Sequence, residues 1–215
     1  MKLNFKYYKA KSLLLLVVGS YILSLALKEK LGYLIVFPES LEKILALLGW
    51  LKPMMVISFV LFLINKYLWK YPWMRWLIDI PNLNGRYVGE LTSSFTGPDG
   101  QQVKKDCVIE IKQDASGIHV STYYADKGTK VQTSKAGSIA EEIIKEKKGI
   151  FSLLYIFSNE PDGMLEALNK HDGTAKFAYL ADKKELAGEY YNHRLNKGTI
   201  RVAFEGKKRL HRFAP

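Results

Sequence analysis

One cysteine in 215 residues, Cys107, has no partner for an internal disulfide, which fits a reducing compartment. Enzyme signatures are also missing: GxSxG, Walker A, HExxH, GxGxxG and paired CxxC do not occur. His119, His171, His193 and His211 fall on separate predicted elements without metal-ligand spacing. Carboxylates are scattered through turns and strand faces with no tuned acid–base pair, so no catalytic residue, metal or resident cofactor is assigned. Acids are scarce in the first third. Up to residue 83, eleven Lys and Arg face four Asp and Glu, whereas the remainder is near balance at 21 to 17. The net charge of +11 therefore sits mainly with the apolar end. It argues for anionic lipid headgroups, not DNA or RNA, as a partner.

Two long apolar runs stand in that first third. Residues 44–68 hold one charge, Lys52, before Asn65 and Lys66, and meet the ~20 residues that a helix needs to cross a bilayer core of about 30 Å. Trp69, Trp73 and Trp76 follow, and with Tyr67 and Tyr71 they form the expected aromatic belt. The earlier run, 13–27, predicts a second span over about 12–28, with a cleaved signal peptide as its rival. Lysines flank both outer ends, so the positive-inside rule puts the amino terminus and the carboxy-terminal domain in the cytoplasm and the loop 31–41 on the far side. Residues 1–76 thus read as a transmembrane hairpin of a multi-pass inner-membrane protein, and 77–84 as a connector.

From residue 85 the pattern changes to a period of two. Strands are predicted over 85–95, 106–113, 118–125, 129–135, 150–158, 174–181, 185–194 and 199–205, with short turns rich in Gly and Asp. Residues 138–147 are ambiguous: Ser138 and Glu141 have capping-box spacing, so helix and strand both remain open. About eight strands with short links predict a closed antiparallel barrel or a sandwich over 85–215, with closure favoured because it protects edges.

Three trios repeat at i, i+2, i+4 and so share one strand face each: Tyr155, Phe157 and Asn159; Gly188, Tyr190 and Asn192; Gly85, Tyr87 and Gly89. Facing inward, they would supply rings to stack bases, amides to read base edges, and glycine-made space. Arg201, with Thr199 on the same face, is the candidate for a phosphate. The simpler reading, tyrosines as core rings and Arg201 as a solvated strand residue, stays open.

The runs LNGRYVGEL at 83–91, LLYIFSNEP at 153–161 and LAGEYYNHRLNKGTI at 186–200, behind two apolar segments, resemble the two-span β-barrel effectors of CBASS antiphage systems over essentially the whole chain. The resemblance implies a membrane-anchored all-β protein: two amino-terminal transmembrane helices, then a compact, lipocalin-like, roughly eight-stranded antiparallel barrel. It implies as activating ligand a cyclic dinucleotide made by a cGAS/DncV-like nucleotidyltransferase. Ligand would drive homo-oligomerisation, and clustered helices would disrupt the inner membrane and kill the infected cell. Tyr87, Tyr155, Asn159, Tyr190 and Asn192 are the positions it carries over for ligand contact. Two other readings are a membrane-anchored lipocalin-like carrier of an apolar ligand, which needs an aliphatic lumen, and a membrane-bound hydrolase, which needs convergent carboxylates.

Overall fold

The computed structural model describes residues 4–32, 51–163 and 169–214. The chain divides into two compact units, Met1–Asp79 with Asp114–Ser116, and Ile80–Gln113 with Gly117–Pro215.

In the first unit, α1 spans Ala10–Gly32 and α2 spans Leu51–Leu63, followed by a π-helical turn, Ile64–Leu68, and a 3-10 turn, Pro72–Trp76. Three contacts close the unit: Tyr8 bridges Ile78, the Lys9 amide donates to the Leu77 carbonyl at 2.9 Å, and the Ser12 side chain donates through Oγ to the Trp76 carbonyl at 2.7 Å. The expected pair of transmembrane helices is not what forms, and the multi-pass inner-membrane placement falls with it. Among the described residues, no helix is long and apolar enough to cross a membrane. Beyond Leu63 the backbone changes winding because Asn65, fully buried, is tied down: its carbonyl accepts from the Ala115 amide at 3.1 Å and its Oδ1 from Ser116 Oγ at 2.6 Å. Trp69, expected in the aromatic belt, is a core residue with Met74, Leu77 and Ile78. In α1 the apolar run lies between Lys11 and Lys28 and is broken by Gly19, Ser20 and Ser24. Residues 33–41 of the expected loop and 44–50 of the second expected span lie outside the described residues.

The second unit is a closed up-and-down antiparallel barrel. Its strands are β1 (Gly85–Thr96), β2 (Gln102–Gln113), β3 (Ile118–Asp126), β4 (Gln132–Lys145), β5 (Phe151–Pro161), β6 (His171–Leu180), β7 (Glu185–Asn192) and β8 (Lys197–Gly206). Each pairs with its neighbours in sequence, and β8 pairs back to β1. The ambiguous 138–147 segment is strand, part of the 14-residue β4. Its capping-box pair does meet, Ser138 Oγ donating to Glu141, but across a bulge between Ser138 and Ala140 that throws Ile139 outward to 62 % exposure. Inward glycines make bends where the trios predicted open space. A Cβ on Gly89 would lie 2.0 Å from the Arg201 carbonyl oxygen of β8, and one on Gly188 equally close to the Lys176 carbonyl oxygen of β6.

On the outer face of β1 and β2, Arg86 and Glu110, each about 1 % exposed, pair at 2.8 Å. Glu110 also accepts the Leu210 and His211 amides at 2.7 and 3.0 Å, while Arg86 donates to Glu205 at 2.7 Å and to the carbonyls of Arg212 and Ala214. Phe213 then packs on Val108, Tyr123 and Ala125. Charge and apolar contact together strap the residues after β8 across the barrel wall. Glu110→Ala leaves the buried Arg86 guanidinium with Glu205 as its remaining carboxylate and unpairs the Leu210 and His211 amides, so it should cost about 3 kcal/mol of unfolding free energy in urea titration. A loss under 1 kcal/mol would show that the strap adds little.

Candidate functional site

Pairing fixes which side chains look inward, because directly opposed residues share a face. Tyr87 opposes Ile109 and Phe204, Asn159 opposes His171 and Ala136, and Tyr190 opposes Ala175 and Gly198. All three trios therefore face the lumen. The lumen is not uniform along its length. At the end where β1 begins it is packed with Tyr87, Ile109, Leu153, Phe177 and Leu186, each at most 1 % exposed. At the end where β1 runs into β2 it opens into a cavity of about 380 Å³. That volume lies within the ~300–1,000 Å³ range of small-ligand sites.

Of the sequence-predicted residues, the structure gathers Asn159, Tyr190 and Asn192 on this cavity wall, beside Phe157. Tyr155 lies deeper and shares Thr122 as a hydrogen-bond partner with Tyr124. Burial pushes the phenols of Tyr124 and Tyr155 up, so both are neutral. Tyr87 sits towards the packed end, its hydroxyl donating to the Leu83 carbonyl at 3.1 Å. Thr199 and Arg201 share a face, as expected from their spacing, but it is the outer one. Arg201 is 73 % exposed there and pairs with Glu185 at 3.0 Å.

Local sterics set the two cavity rings. A Cβ on Gly173 would come within 2.5 Å of the Phe157 ring, and one on Gly198 within 2.6 Å of the Tyr190 ring, so each aromatic lies against a cross-strand glycine. Tyr190 hydrogen-bonds Ser93, and burial raises its pKa. Asn159 is 6 % exposed, and its Oδ1 is buried without a hydrogen-bond partner. Asn192 is otherwise engaged: its Oδ1 accepts the amides of Arg194 and Asn196, both at 3.1 Å.

Sequence reasoning missed Lys105, His171, Arg194 and Asn196, which also line the cavity. Lys105 lies before the predicted start of β2 and Asn196 in a predicted turn, where the period-two rule gives no direction, whereas Arg194 ends the predicted strand 185–194 on the face of Tyr190 and Asn192, so extending that trio one step would have found it, although β7 itself stops at Asn192. His171 precedes the predicted β6, but its register opposite Asn159 brings it in. Lys105 Nζ donates to Thr133 at 3.1 Å and lies 3.5 Å from Asp126. No carboxylate lines the cavity among the described residues. The wall thus offers rings, amides and cations without a carboxylate among its lining residues. On the outer wall, Ser138, His119 and Glu141 also converge, but both partners meet the same imidazole nitrogen, Nδ1, at 3.1 and 3.5 Å. A proton relay needs both ring nitrogens, so this trio does not form one.

The profile of the Cap15 cyclic dinucleotide receptor domain matches residues 78–203, which takes in the cavity. The chain belongs to this family. Among curated proteins, CD-NTase-associated protein 15 of Yersinia aleksiciae is 29% identical over 140 residues, covering 64% of this chain and 62% of that protein. The chain thus spans under two thirds of that relative's length. Membership supports the likeness to CBASS effectors, but not its two-span detail.

His171 offers a test of the wall's electrostatics. Desolvation holds its imidazole below the ordinary value of 6.5, with Arg194 and His193 adding to the effect. The unfolded chain therefore binds more protons than the native one just below pH 6.5, and stability falls as pH drops from there through the lower native value. Urea midpoints of wild type and His171→Gln should diverge between pH 7.5 and 5.5, the variant gaining relative to wild type. Parallel midpoints would place His171 in a solvated setting.

Proposed function

We propose that this chain is a cyclic-dinucleotide receptor and effector of a CBASS antiphage system, binding its ligand in the barrel cavity. The observation that carries this reading is the wall itself: aromatic faces at Phe157 and Tyr190, an unsatisfied buried acceptor on Asn159, and cations at Lys105 and Arg194 with no lining carboxylate. Bases stack on rings, carboxamides read base edges, and cations meet phosphodiesters. Membership of the receptor-domain family supports the same ligand class. An apolar ligand would leave Asn159 Oδ1 without a donor, a loss of about 1–3 kcal/mol. The protein acts as a sensor, not a catalyst, and its ligand comes from a partner nucleotidyltransferase.

The output side of the proposal rests on the helical unit. Leu14, Leu15, Ile22, Met55 and Phe59 are 60–69 % exposed, and Trp73 is 61 % exposed beside Lys70 and Arg75. Apolar surface rimmed by tryptophan and cations suits lipid contact. Ligand-driven self-association would raise the local concentration of these faces on a bilayer, and its disruption would abort the infection. Spanning helices have no part in this reading.

In calorimetric titration against 3′,5′-linked cyclic dinucleotides with A, G and U bases, wild type should bind at least one saturably. Asn159→Leu should weaken it about 10- to 100-fold without lowering the urea midpoint. Saturable binding of fatty acids alone would overturn the ligand class. Separately, dye-loaded vesicles containing anionic lipid should leak when protein and the bound dinucleotide are both added. Equal leakage without nucleotide would sever sensing from lipid disruption.

A further inference from the structure

We infer that Arg194 is the residue through which this cavity binds the ligand's phosphate, an inference that rests on the cyclic-dinucleotide reading above. Three observations converge on it. The first is position: Arg194 lines the cavity, whereas Arg201, the residue singled out by strand spacing, lies on the outer wall against Glu185.

The second is fixed presentation. The β7–β8 turn is cross-braced: Asn192 Oδ1 accepts the Arg194 and Asn196 amides, the Asn192 amide donates to the Asn196 carbonyl at 3.0 Å, and the Leu195 amide donates to the Asn192 carbonyl at 3.1 Å. Leu195 takes a left-handed φ of 61° and points its side chain into solvent at 94 % exposure. A bulky residue holds that conformation only where its surroundings enforce it. Here the bracing enforces it and sets the origin of the Arg194 side chain.

The third is unspent donor capacity. The guanidinium carries five N–H donors, and Nη2 donates to the neutral carbonyl of Asn169. No carboxylate pairs with it among the described residues. Lys105, the other lining cation, already has Asp126 and Thr133 beside it. A planar fork can take both non-bridging oxygens of one phosphodiester at once, which an ammonium cannot. The wall then has a division of labour, with Asn159 deep in the lumen for a base and Arg194 on the turn for the charge.

The test is calorimetric titration of the full chain with the same cyclic dinucleotide panel in low and high salt. Arg194→Gln should weaken binding about 10- to 100-fold and flatten the salt dependence, and Arg194→Lys should fall between, with unchanged urea midpoints in both. Lys183→Gln, a matched charge loss on the exposed β6–β7 turn, should leave affinity as in wild type. If wild type binds and Arg194→Gln binds as tightly, the inference is overturned while the receptor reading stands. Equal losses in Arg194→Gln and Lys183→Gln would overturn it too, since net charge would then explain both. If wild type binds none of the panel, the receptor reading itself fails.

Discussion

Barrel closure is the constraint on which the rest depends, and it is made where β8 pairs back to β1. That seam joins residues more than a hundred positions apart, Glu90 to Arg201 and Leu91 to Ile200. It forms only because Gly89 has no side chain to strike the Arg201 carbonyl oxygen. Once the seam is made no strand has a free edge, and every inward position is committed to the lumen. The Arg86–Glu110 pair stands on the outside of the same region and strands the following residues across it. Seam and strap together fix the register, and register decides which side chains meet inside.

Much of this was legible because a strand has period two and a turn has few chemistries. The trios at Tyr155, Tyr190 and Tyr87 were placed on one face each by spacing alone, and all face the lumen. What spacing could not give is the sign of a face. Thr199 and Arg201 share a face as read, yet it is the outer one, because β8 takes its direction from pairing with Leu91 and Gly89 and not from its own sequence. Turns carry no period, which hides Asn196, whereas Arg194 follows Asn192 at the same two-residue spacing and was legible as the next step of the Tyr190 trio. The helical segment misled for a different reason. Hydropathy counts residues but does not see that Asn65 is pinned by Ser116, a contact between residues 51 positions apart that ends α2 early.

Cavity and packed core are separated along the barrel axis, and the separation has an energetic logic. One end is filled by Tyr87, Leu153, Phe177 and Leu186, and burying each large side chain contributes about 1.5–3 kcal/mol. The other end replaces such residues with Ser93, Ser134, Asn159 and His171, which contribute little burial and leave one buried acceptor unmet, at about 1–3 kcal/mol. A domain of marginal net stability can carry that deficit only if the packed end and the seam oversupply. The deficit is also what a ligand can recover. On the proposed reading, an N–H donor presented to Asn159 would meet an acceptor that no described protein group satisfies. On the same reading, polar wall residues that look like poor core choices would let the cavity discriminate between ligands instead of merely admitting them.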